Sequence, residues 1–175
     1  SKEVIYAYGM ELLISDVLNT IIVLLIALFS HTLPAVVVFI AVFMGLRQFV
    51  GGFHANSHLS CMFTLVMVMM VFSYGICNVS GHITPIFSIS FIMIALPIIL
   101  CIAPVPHPNK PMSEEKSVKL RKRSCILAVT LSVVTIALLV FQYQKLSLYV
   151  SSGMLLSAIM ALLGHFLNRG DNSKR

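Results

Sequence analysis

The sequence has no tryptophan, only 10% charged residues and six acidic ones, against 58% hydrophobic residues in a chain of 175. So small a polar share cannot cover the apolar residues of a water-soluble globule, and that class is excluded. The four cysteines, Cys61, Cys77, Cys101 and Cys125, form no CxxC pattern, so no disulfide scaffold is expected and the thiols are read as free. No repeat at a fixed period is visible and no polar stretch is long enough for an extracellular domain. A cleavable signal peptide is not expected either. The first hydrophobic run carries Asp16 and Asn19 and no small-residue cleavage pattern follows it. The start at Ser1 rather than Met suggests a chain trimmed at its N-terminus.

What is present is a series of apolar runs, each near the ~20 residues that cross a bilayer. Six are read, at about 11–30, 33–50, 59–79, 83–103, 124–142 and 147–166. The expected fold is an all-α polytopic membrane protein forming one domain over 1–175. With the N-terminus in the cytoplasm, 11 of the 12 basic residues fall inside and only Lys145 outside, which supports both the span count and a cytoplasmic C-terminus. The net charge of +6 then reports topology and attraction to anionic membrane lipids or an acidic partner; nucleic-acid binding is not expected. The longest polar stretch, Ala103 to Ser124, is cytoplasmic in this topology. Its prolines at 104, 106, 108 and 111 exclude regular helix early on, and "SEEKSVKLRKRS" reads as a basic amphipathic turn or two on the membrane surface.

One stretch departs from the rest. "RQFVGGFHANSHLSC", Arg47 to Cys61, gathers a cation, paired glycines, two histidines and a thiol on one predicted membrane side. Ionisable groups at membrane depth are costly and are candidates for function. The plainer readings are an arginine anchored at the headgroups, a turn at Gly51-Gly52 and structural His and Cys side chains. A thiol with an imidazole supplies a nucleophile and its base. His58, three residues before Cys61, shares its face on a continuous helix. His54 on such a helix is ~10 Å away along the axis. It reaches the sulfur only if the segment folds as a re-entrant or irregular loop, which Gly51, Gly52 and Asn56 allow.

"GGFHANSHLSC", with Arg47 ahead of it and the "PHPNKP" loop downstream, resembles the AgrB family of accessory gene regulator membrane endopeptidases. The resemblance implies a cysteine peptidase with Cys61 as nucleophile and His54 as base and acid, working near the cytoplasmic face without a cofactor. It matches Arg47 to the family's basic residue before the glycines, and Lys110 with Pro111 to its cytoplasmic loop. It further implies that an AgrD-type precursor is cut after its signal segment and held as a thioester. A Cys or Ser of that segment then closes a thiolactone or lactone ring, giving an autoinducing peptide for quorum sensing. A homodimer is a family expectation. Lys110, Lys116, Lys119, Arg121, Lys122 and Arg123 are candidates to attract the acidic precursor tail, and His58 is retained as a supporting residue. No third group orienting His54 is fixed by spacing; Asp16, Asn19 and Asn56 are the candidates.

Two rival readings stand beside this one. His54, His58 and Cys61 form H-x3-H-x2-C, a metal-ligand pattern without an obvious fourth ligand, and no metal site is assigned on it. A small transporter or a purely structural membrane subunit is the other, with Asp16 and Asn19 on one face of the first span, where a helix-helix hydrogen bond is the simpler reading.

Overall fold

The computed structural model describes residues 2–51, 67, 68, 71, 75, 82–105 and 114–172. Five helices account for most of them: α1 (Lys2–Phe29), α2 (Leu33–Val50), α3 (Thr84–Ile102), α4 (Glu114–Val140) and α5 (Gln144–Asn172). No strand occurs among the described residues, only one isolated bridge between Gly51 and Val105. The chain divides into two compact units, one of Ser1–Val37 with His54–Asn78 and the other of Val38–Phe53 with Val79–Arg175.

Four stretches are long and apolar enough to cross a membrane: Leu33–Val50, Thr84–Ile102, Ser117–Val140 and Gln144–Phe166. They coincide with the second, fourth, fifth and sixth expected spans, and they make this a multi-pass membrane architecture. The first expected span lies on α1, where the apolar stretch is shorter, Thr20–Phe29. The third, 59–79, falls almost wholly outside the described residues, as does the expected re-entrant segment.

The basic stretch differs from expectation. Instead of a separate surface turn, Ser117 to Arg123 continue without a break into the fifth span as the opening turns of α4. The reason is local: from Glu114 to Val140 there is no glycine or proline, so nothing interrupts the hydrogen-bond ladder where charge gives way to apolar residues. Glu114 and Glu115 sit at the N-terminal end, where the helix dipole favours acids. α3 stops as the prolines demanded; the Ala103 N–H caps the Ile99 carbonyl at 3.0 Å, and Pro104 follows.

In the second unit α5 packs against α3 most extensively and also against α4. Against α2 a small residue sets the spacing. Gly153 of α5 lies so close to α2 that an added Cβ would be 3.0 Å from the Phe39 carbonyl oxygen, the close backbone approach that drives helix association in lipid. Hydroxyls buried here are satisfied internally, as a water-free interior requires. Ser152 and Ser157 donate to carbonyls of their own helix at 2.9 and 3.0 Å, and the hydroxyls of Ser88 and Ser147 link α3 to α5 at 3.1 Å. Around them Leu46, Val50, Ile99, Val105, Ala128 and Met154 belong to one buried cluster. The outer face of α4, Ile126, Val129, Val133, Ile136 and Val140, stays exposed at helical spacing, as suits contact with lipid chains.

Candidate active site

The end of α2 carries the first two residues of the motif. Phe39, Phe43 and Arg47 are spaced four apart and so share one face. The Phe39 and Phe43 rings stack at 6.3 Å. The Arg47 guanidinium lies 5.6 Å from the Phe43 ring centroid, within cation-π range. Arg47 is half-buried, and its charge is held on an aromatic face.

One turn later the helix ends. Gly51 has φ +73°, and its N–H donates to the Arg47 carbonyl at 3.0 Å, a left-handed helix stop. The carbonyl of Val50 accepts the N–H of Val105 at 2.9 Å. Val105 stands in the Pro-rich stretch directly after α3, between Pro104 and Pro106. The stretch that opens at Arg47 and the stretch that runs into "PHPNKP" therefore meet backbone to backbone at Val50, Gly51 and Val105.

The cations of α4 fall into two kinds. Arg121, Lys122 and Arg123 are exposed on successive positions. Lys119 is exposed too, but its ammonium pairs with Glu115 at 2.6 Å, four residues earlier. Lys116 lies in the same first turns. Gly52, His54, His58, Cys61 and Lys110 lie outside the described residues, together with Asn56 and Pro111. The proposed imidazole–thiol contact and the rival metal set both fall there. Cys101 and Cys125, which are described, are free thiols.

Sequence reasoning found Arg47 and Gly51 but missed their partners. Phe43 had a signal, its four-residue spacing from Arg47. Val105 had none, because it contributes backbone atoms.

A family model described as AgrB, accessory gene regulator B, matches residues 1–161. An AgrB-like protein of Clostridium beijerinckii is 24% identical over 116 residues, 65% of this chain and 56% of the relative. The chain thus matches a little over half the length of that curated relative. No solved structure matches.

Proposed function

Because the chain belongs to the accessory gene regulator B family, we propose that it is a membrane cysteine endopeptidase that matures an AgrD-type precursor into a cyclic autoinducing peptide. The observation that carries this reading is the family match, which spans the whole Arg47-to-Cys61 motif and the Pro-rich loop together.

In this mechanism His54 takes the proton of Cys61, and the thiolate attacks the carbonyl after the signal segment. The C–N bond breaks, His54 returns the proton to the leaving amine, and the acidic tail departs. The rest stays on Cys61 as a thioester. A thiol or hydroxyl within the signal segment then attacks the thioester carbonyl, frees Cys61 and closes the ring. Water competes for that thioester. A site at the headgroup boundary, covered by helices, favours cyclisation by excluding water and holding both ends together. Arg121, Lys122 and Arg123 are exposed cations suited to hold the acidic tail, with Lys110 and Lys116 adding to the same field. Lys119, already paired with Glu115, contributes least. The whole of 1–175 is taken as one peptidase domain acting in the cell membrane, termini in the cytoplasm.

The test is to mix the purified protein with candidate precursors and look by mass spectrometry for a peptide linked through Cys61. His54→Ala is expected to abolish tail release and His58→Ala to spare it; loss with His58→Ala alone reverses the assignment. Inhibition by a thiol alkylator with indifference to a chelator supports the peptidase, and the opposite pattern supports the metal site.

A further inference from the structure

Of the three exposed cations that follow one another on α4, Arg121, Lys122 and Arg123, helical geometry singles out the middle one. At roughly 100° per residue, the two arginines diverge to either side of Lys122. Stepping from Lys122 by fours and threes meets Ile126, Val129, Val133, Ile136 and Val140, the exposed apolar line of α4. One turn the other way Val118 is exposed as well, so the ammonium interrupts that line rather than lying past its end. The opposite side of the helix buries Ser124, Ala128, Ser132 and Thr135. Lys122 therefore stands on the face turned away from α3 and α5, the helices that α4 packs against.

Length fixes its depth. From Lys122 to Val140 the helix rises about 27 Å, close to the ~30 Å of a bilayer's hydrocarbon core. With Val140 at one edge of that core, Lys122 lies at the other, level with the lipid phosphates. No ion pair joins it to a described residue. The acid nearest to its line, Glu115, is ~10 Å further out along the axis and already holds the Lys119 ammonium at 2.6 Å. A cation at phosphate depth, set in an apolar line and without a carboxylate of its own, complements a molecule with an anionic head and an apolar tail.

We infer that α4 carries a site for an anionic phospholipid, with the headgroup phosphate on Lys122 and an acyl chain along Ile126, Val129 and Val133. A zwitterionic lipid fits the same apolar line but brings its own cation beside the phosphate, so the site prefers lipids of net negative charge. Lys122 still adds to the field that draws the precursor tail, but its direct partner is the lipid. This site does not depend on the peptidase reading.

The chain has no tryptophan, so one introduced on the line reports its own surroundings. Full-length Val129→Trp is placed in nanodiscs of phosphatidylcholine mixed with phosphatidylglycerol, and fluorescence quenching is compared with brominated acyl chains on one lipid or on the other. The ratio gives the relative affinity of the two lipids at that face. Phosphatidylglycerol is expected to be preferred about fivefold, which corresponds to the ~1 kcal/mol that one cation contributes near an anionic surface. Adding Lys122→Gln brings the preference close to unity, and Lys122→Arg keeps it. Arg121→Gln and Arg123→Gln, off the line, each change it by less than about twofold. Met93→Trp, on an exposed position of α3, reports no preference. Equal quenching by the two lipids in Val129→Trp overturns the site, as does a preference that survives Lys122→Gln or that falls as far in either arginine variant. The same preference at Met93→Trp reveals a general attraction of the basic protein and refutes a site on α4. Quenching by neither lipid means that protein covers the line, such as a second copy of the chain, and refutes it too. Should Val129→Trp fail to accumulate, Ile126→Trp reads the same line.

Discussion

Among the described residues three helices end on a residue with positive φ, yet only one of those residues is glycine. After α1 the left-handed residue is His31 (φ 55°), and after α4 it is Gln142 (φ 66°). Both close in the same way. The His31 N–H reaches the Leu28 carbonyl at 3.2 Å and the next N–H, of Thr32, reaches Ala27 at 2.9 Å; Gln142 and Tyr143 repeat this on Leu139 and Leu138 at 3.1 and 2.8 Å. These are Schellman motifs, and both left-handed side chains stand exposed. At Gly51 the backbone of Val105 occupies the space a side chain needs. A left-handed helix stop alone does not select glycine in this protein; a second chain pressed against the stop does.

That comparison separates dihedral from proximity, and five positions sort the two. Gly51 combines both constraints, so Gly51→Ala is expected to have the largest effect. The left-handed conformation costs a β-carbon about 1–2 kcal/mol, and relieving the contact with Val105 adds about 1–3 kcal/mol. Thermal unfolding of the detergent-solubilised protein measures the sum. A loss below about 1 kcal/mol, under the dihedral term alone, means that the bridge has yielded at no expense.

Gly153 isolates proximity. No positive φ is involved, but an added Cβ would lie 3.0 Å from the Phe39 carbonyl oxygen and 3.1 Å from two Val42 side-chain atoms. Gly153→Ala therefore forces α2 and α5 apart by a few tenths of an ångström, and a loss of about 1 kcal/mol is expected, at the low end for overpacking. Gly153→Val should exceed it in the same unfolding measurement. Equal stability of the two variants would mean that the α2–α5 contact is looser than its geometry indicates.

How far such positions could be read beforehand depends on the kind of signal each leaves. Spans 33–50, 83–103, 124–142 and 147–166 were legible because an apolar run of bilayer length is a property of consecutive residues. The first span was less so; Glu11 and Asp16 interrupt the run on α1 and leave only Thr20–Phe29 as its apolar stretch. The junction inside α4 was misjudged because charge suggested a change of environment, and the helix ladder passes through such a change unhindered. At the site, Arg47 and Gly51 stood out by residue type in an apolar setting. Val105 could not, since a contact made by N–H and C=O is available to almost any residue and leaves no mark on the side chain.

Gly45 has neither constraint: it lies within α2, and among the described residues no atom falls within 4 Å of its would-be Cβ. Gly45→Ala should stabilise by roughly 0.5–1 kcal/mol, because glycine gives up more conformational freedom than alanine on entering a helix. A loss in the unfolding measurement would reveal a neighbour at that face, such as a second copy of the chain.

The smallest effect is expected at the open left-handed ends, where two terms oppose. Replacing His31 or Gln142 by glycine removes the left-handed strain of about 1–2 kcal/mol but adds roughly 0.5–1 kcal/mol of unfolded-chain freedom. A net gain of a few tenths to ~1 kcal/mol remains for each. At Gly51→Ala, strain and contact both act against the variant, so the exchanges at 31 and 51 are not mirror images despite their similar dihedrals. Tail release should be unchanged in His31→Gly and Gln142→Gly, since neither residue belongs to the motif. If either variant instead lost stability by as much as Gly51→Ala, the exposed side chain would be making a contact of its own, and openness could no longer explain why these two ends dispense with glycine.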